Sequence, residues 1–219
     1  MALLLGTAAG LLQVLGYAIY IRKSVRRELE PNPATWFMFA YGTALLTVLE
    51  LDLDAGLALL ILPAICAALS MYVAYQCWVR GTFKWPVERA DQAAFAADII
   101  LTVAYLAAWE LARYGSITEE SRHIATTAFL LCSNATTFTA FSPLLRDAYR
   151  NPDREHSPSW IVWALAYATL GLATALSAGW LTVLMVYPLT NAILHALVAW
   201  FARSSRHGGR KLSPSSRGI

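Results

Sequence analysis

Seven apolar runs, parted by short polar or charged breaks, fill most of this 219-residue chain. They cover residues 2–21, 34–52, 56–79, 91–113, 122–145, 158–178 and 181–203. Each lies near the ~20 residues that a helix rising ~1.5 Å per residue needs to cross ~30 Å of hydrocarbon. Backbone N–H and C=O groups must find partners inside lipid, so each run is predicted to be helical. The expected fold is an all-α integral membrane bundle of seven transmembrane helices.

The breaks and the helices they open recur. Pro33-Ala34-Thr35-Trp36 begins one apolar run, and the next contains Leu62-Pro63-Ala64-Ile65-Cys66. Pro158-Ser159-Trp160 begins another, followed by a run containing Tyr187-Pro188-Leu189-Thr190-Asn191. Pro33 to Pro158 and Pro63 to Pro188 are each 125 residues apart. The repeat pairs spans one to three with spans five to seven and leaves the fourth as a connector. A connector that crosses once puts both triplets in the same orientation, as a parallel repeat. The predicted organisation is therefore 3+1+3. A first triple-helix bundle covers 1–80, a linker helix and its loops 81–121, a second bundle 122–203, and a disordered basic tail 204–219. Facing half-bundles usually enclose a site near the midplane, so alternating-access transport of a small solute is the leading expectation.

Composition and charge agree with a membrane protein and orient it. The chain is 58% hydrophobic and only 14% charged, too few charges to cover a soluble surface. With the N-terminus outside, fifteen of the 17 basic residues fall on the cytoplasmic side, including Arg22, Lys84, Arg154 and Lys211. Arg113 and Arg122 are the external pair, so the positive-inside rule predicts an external N-terminus and a cytoplasmic C-terminus in the cell (inner) membrane. Topology accounts for the net charge of +3 without a nucleic-acid partner. Membrane lipid and a small-molecule solute are the expected partners, and the oligomeric state is left open. Cys66, Cys77 and Cys132 have no metal-ligand spacing and read as small core residues. The first run has no basic segment ahead of it and reads as a retained span.

Phe141-Ser142-Pro143-Leu144-Leu145 runs into a basic loop, and Ser157-Pro158-Ser159-Trp160 opens the next helix. With Pro63 and Pro188 in the third helix of each triplet, this resembles the SWEET and PQ-loop superfamily. Vitamin-uptake transporters of the nicotinamide riboside type are a similar, related branch. The likeness covers nearly all of 1–80 and 126–203 in architecture, on short motifs. The first triplet has Gly16-Tyr17-Ala18 in place of the inner hinge proline, and neither triplet contains Pro-Gln. The resemblance implies a seven-helix carrier with proline-broken helices, and it implies no cofactor.

Depth along each span selects the candidate residues. Asn191 lies about ten residues, roughly 15 Å, into span seven, at the bilayer centre. Cys66 holds the matching position in span three. Asn134 and Gln13 lie near the centres of spans five and one. Carboxamides offer donors and acceptors to a neutral polar solute, or else bridge helices. His195 sits one turn from Asn191, with Ser70 at the repeat-equivalent position, and is either a proton-coupling group or a structural histidine. Asp98 is a costly carboxylate within span four, read either as a proton carrier or cation partner, or as an interface residue. Glu50, Asp52, Asp54 and Glu110 read as solvated helix ends. Pro63, Pro188 and Pro143 are candidate hinges. Trp36 and Trp160 read first as interfacial anchors and otherwise, with Phe39 and Trp163, as an inner gate.

A cavity close to neutral favours a carrier over the other expected class, a membrane receptor or sensor gripping a charged ligand without transport. No nucleophile–base pair, metal cluster or phosphate-cradling loop points to an enzyme. Lys23, Lys84 and Lys211 all lie outside the spans, which excludes a retinal Schiff base.

Overall fold

A computed structural model describes residues 1–29, 31–82, 89–152 and 155–208. Lys84, Arg154 and the tail from 209 onward, with Arg210, Lys211 and Arg217, lie outside the described residues. The described residues form seven helices: α1 (Ala2–Val25), α2 (Pro33–Asp52), α3 (Leu57–Val79), α4 (Arg89–Arg113), α5 (Glu119–Arg150), α6 (Ser157–Ala178) and α7 (Val186–Gly208). All seven are long and apolar enough to cross a membrane.

Helix ends are set by local chemistry. Asn32 caps α2, its Oδ1 accepting from Ala34 N at 3.1 Å and Thr35 N at 3.3 Å, with Pro33 preorganised at the first turn. Thr118 caps α5 through Ser121 N at 3.1 Å. Gly179, at φ 91°, ends α6 in a backbone conformation that costs a side-chain-bearing residue strain. α5 is the longest helix, 32 residues or about 48 Å, so it outruns the hydrocarbon. Hydropathy saw only its apolar middle because the added turns at both ends are polar. α7 likewise continues through residues 204–208, which the composition had assigned to a disordered tail.

The helices touch in a closed ring, α1–α3–α2–α5–α7–α6 and back to α1. α4 stands outside the ring against α5 and, more lightly, α2. At one end Asp52 of α2 pairs with Arg122 and accepts from Thr126 Oγ1 of α5 at 2.8 Å. At the opposite end Ser157 of α6 donates to the Ala199 carbonyl of α7 at 2.9 Å.

Small residues permit the closest contact. A side chain at Gly6 would collide with the Ala58 carbonyl of α3, so α1 and α3 meet backbone to backbone. Outward faces are apolar, with Leu4, Leu11, Ile100, Leu165 and Ile193 exposed to the surroundings that lipid would supply. Gln13, Ser70, Asp98, Asn134, Asn191 and His195 are buried among the helices. Cys66 and Cys77 are buried as expected, but Cys132 is exposed on α5 and is not a core residue.

Two expectations about the helix ends are corrected. Trp36 and Trp160 are buried, 3% and 0% exposed, and anchor no interface. The exposed tryptophans near helix ends are Trp78, Trp109, Trp180 and Trp200, which have the placement an aromatic belt requires. Trp36 packs on Tyr17 and Tyr20 of α1, and Trp160 packs on Tyr20 and on Phe141 of α5, which covers both first turns. Glu50, expected at a solvated end, is only 2% exposed, and its Oε2 has no hydrogen-bond partner among the described residues. It lies one turn beyond buried Leu46 on the inward face of α2. Asp52 is mostly covered by its contacts with α5, whereas Asp54 is exposed as expected and Glu110 is partly covered beside Arg113.

Candidate functional site

A cavity near the ring axis is lined by residues from all seven helices. Its solvent-accessible free space is about 30 Å³, room for about two waters. Aromatic rings fill most of the centre. α1 contributes Tyr17, α2 contributes Trp36 and Phe39, and α5 contributes Phe141. α6 adds Trp160, Trp163 and Tyr167.

The rings pack at 4.6–6.4 Å between centroids, mostly tilted or edge to face, as their quadrupoles favour. Trp163 is held from two sides. Its Nε1 donates to the Gln13 carbonyl at 3.2 Å, and its ring crosses α1 at Gly16, where any side chain would strike the indole. Where α5 crosses α2, Phe141 meets Phe39 at 4.6 Å. Glycine against indole on one side and phenyl against phenyl on the other fill the two gaps by different divisions of volume.

Of the expected substrate-binding residues, the cavity gathers Asn191, Cys66 and His195. Asn191 donates to the Tyr187 carbonyl at 3.1 Å, and its own carbonyl accepts from His195 Nδ1 at 2.7 Å. That bond fixes the proton on Nδ1 and leaves Nε2 as the nitrogen able to act on a ligand. Four rings enclose the imidazole, at 4.8 Å from Tyr167, 5.0 Å from Phe141, 5.3 Å from Trp160 and 6.0 Å from Trp163.

Gln13 and Asn134 do not join them. Both are buried away from the cavity lining, and the three expected carboxamides do not converge. Asn134 donates to the Leu130 carbonyl of its own helix at 2.9 Å, while its Oδ1 and Gln13 Oε1 have no hydrogen-bond partner among the described residues. Position along the helix was legible for both residues, but neither reaches the cavity lining. Ser70 is buried and one step removed, bonded to Tyr17 Oη at 2.5 Å.

Asp98 reaches the cavity from α4, although that helix lies outside the ring. Its Oδ1 accepts from Thr136 Oγ1 of α5 at 2.6 Å. Its Oδ2 lies 3.7 Å from the point where a side chain would begin at Gly42 of α2. The gap between α2 and α5, narrowed by no large residue there, admits the carboxylate.

Three tyrosines that carry no motif complete the site. Tyr17 Oη lies 3.4 Å from Cys66 Sγ, Tyr167 Oη lies 3.6 Å from the same sulfur, and Tyr167 and Tyr187 hydroxyls meet at 3.1 Å. A buried hydroxyl in mid-span needs a partner, which is the one sequence signal that distinguishes them.

The candidate hinges differ in placement. Pro63 lies inside α3 and Pro143 inside α5, each removing a helical donor. Pro188 sits in the first turn of α7, preceded by a 3₁₀ turn at Val183–Met185, so no donor is lost within the helix.

Beyond the spans, Glu155 accepts from Trp160 Nε1 at 2.8 Å. Burial pushes the Glu155 carboxyl up to about 8 and nearby Asp147 adds to this, while the Trp160 bond acts the other way. A carboxyl raised on folding is protonated in the folded chain and ionised in the unfolded one between its ordinary value and about 8. Its stabilisation is complete at low pH and is lost as pH rises through that window. Thermal unfolding scans in detergent from pH 5 to 8.5 are expected to show stability falling by on the order of 2–3 kcal/mol. Glu155→Gln is expected to flatten that slope, and parallel slopes in the two proteins would refute the assignment.

No family model matches the chain, and neither does any curated protein or solved structure.

Proposed function

We propose that this chain is a membrane carrier for a small polar solute, working by alternating access. One observation carries the reading: repeat-related residues from both halves line a single central cavity. Trp36 and Trp160, Phe39 and Trp163, and Cys66 and Asn191 form three such pairs. The ring of helix contacts supports two parallel triplets, since α1–α3–α2 and α5–α7–α6 have the same order. The two junctions, α2–α5 and α6–α1, are then repeat-equivalent. On this reading α4 is the linker of a 3+1+3 fold, with the N-terminus outside and the C-terminus in the cytoplasm. The SWEET and PQ-loop resemblance rests on the motifs already described and belongs to this proposal.

Space for about two waters makes the described state a closed one. Solute enters when the rings part, and Pro63 and Pro143 give α3 and α5 backbone positions able to bend. Trp36, Trp160, Phe39 and Trp163 form the inner gate.

The test is uptake of labelled sugars, nucleosides, vitamins and amino acids into proteoliposomes by wild type and Asn191→Ala. Saturable uptake of one solute is expected, reduced about tenfold or more in the variant, a loss equivalent to ~1.4 kcal/mol of binding. Undiminished uptake in the variant would remove Asn191 from the site. The receptor reading draws its support from Asp98, a charge in the cavity of the kind a ligand-gripping sensor needs. Binding without uptake of any solute, with or without a proton gradient, would favour it.

A further inference from the structure

The cavity combines an aromatic shell with an uncompensated carboxylate. Trp36, Phe39, Phe141, Trp160, Trp163 and Tyr167 supply its rings, and Asp98 is the acidic residue that lines it. Among the described residues no lysine or arginine lines the cavity and Asp98 makes no ion pair. Its Oδ1 is satisfied by Thr136, and no hydrogen bond to Oδ2 is found among the described residues. A buried carboxylate without a counter-ion costs several kcal/mol in hydrocarbon, and a cationic ligand would offset that cost.

The shell decides what kind of cation fits. Ring faces carry negative potential and attract cations whose charge is spread over an apolar surface. A metal ion instead favours several charged oxygen ligands, and Asp98 is the one carboxylate among the described residues that line the cavity. Among the described residues no three His, Cys, Asp or Glu side chains gather where they could hold a metal ion. His195 directs its Nδ1 proton to Asn191, so it offers the cavity no fixed positive charge through that bond.

We infer that the ligand of this cavity is an organic monocation with an apolar surface, such as a quaternary ammonium or N-alkylated aromatic ring, held by the aromatic shell and Asp98. This rests on the site proposed above and narrows its ligand class. The cation enters as the cavity opens, Asp98 supplies the counter-charge, and the indole faces replace the water it leaves behind.

The test measures binding of choline, tetramethylammonium and N-methylpyridinium to the purified full chain in detergent. Binding is read by tryptophan fluorescence and by thermal stabilisation. Choline is compared with its uncharged isostere 3,3-dimethyl-1-butanol, and N-methylpyridinium with toluene. At least one cation is expected to bind about tenfold or more tightly than its isostere, the size of one desolvated cation–π and charge pairing. Asp98→Asn, which can keep a bond to Thr136, is expected to reduce that ratio to about one. The wild-type comparison stands even where the variant does not fold. Equal binding of cations and isosteres overturns the inference, as does absence of binding by all three cations. Stabilisation by sodium or potassium but by no organic cation also overturns it, in favour of a metal-ion site. Saturable uptake of a neutral solute alongside any of those results leaves the carrier standing and removes only the cation.

Discussion

Gly6→Ala is expected to lower stability by about 3 kcal/mol or more, among the largest effects a single methyl group can have here. The atom that the new Cβ would meet is the Ala58 carbonyl oxygen, with the Ala58 Cα and carbonyl carbon just behind it. Overpacking against a side chain can be relieved by a rotamer change, but backbone inside α3 can yield only if the helices separate. Separation would also open the α1–α3 contact at Gly10, where a side chain would strike Ile61 of α3. Thermal unfolding in detergent is the measurement, with Gly56→Ala as the comparison. Gly56 caps the same helix with nothing within 4 Å of its Cβ position, so its substitution is expected to stay within about 1 kcal/mol of wild type. Similar behaviour of the two variants would mean that α1 and α3 lie farther apart than described.

Trp163→Ala is expected to cost about 3–5 kcal/mol, the range for deleting a fully buried large aromatic side chain. The indole is 1% exposed and packs on Tyr17 at 4.9 Å, Trp160 at 4.8 Å and Tyr20 at 5.5 Å. Its loss removes these contacts, leaves the Gln13 carbonyl without the indole donor and opens a void beside Gly16. Trp163→Phe is expected to recover more than half of the loss, because a phenyl ring fills most of the space without the hydrogen bond. Equal destabilisation by Phe and Ala would show that the bond to Gln13, rather than packing, dominates. Under the carrier reading Trp163→Ala also abolishes saturable uptake, since the gate can no longer close against α1.

How far the sequence could be read divides along one physical line. The spans emerged from hydropathy because crossing lipid demands long apolar helices whatever the tertiary arrangement. All seven appeared, although the polar extensions of α1, α5 and α7 and the later start of α7 escaped notice. The repeat placed Cys66 and Asn191 at matching depth, and both line the cavity. His195 followed from Asn191 by helix geometry alone.

Direction around each helix axis was not legible. In water a helix announces its buried face by polarity, but in lipid the buried and outward faces are both apolar and the signal disappears. Gln13 and Asn134 therefore looked equivalent to Asn191, yet neither reaches the cavity lining. Trp36 and Trp160 had the positions of interfacial anchors, yet are buried against the rings of α1 and α5. Asp98 belonged to a helix outside the ring, and only the opening between α2 and α5 beside Gly42 brought its carboxylate to the cavity. The sequence determined how many helices are long and apolar enough to cross and where along each one a residue falls, because a bilayer sorts chains by apolar length. The tertiary structure alone decided which side chains meet, because packing between equally apolar faces depends on shape.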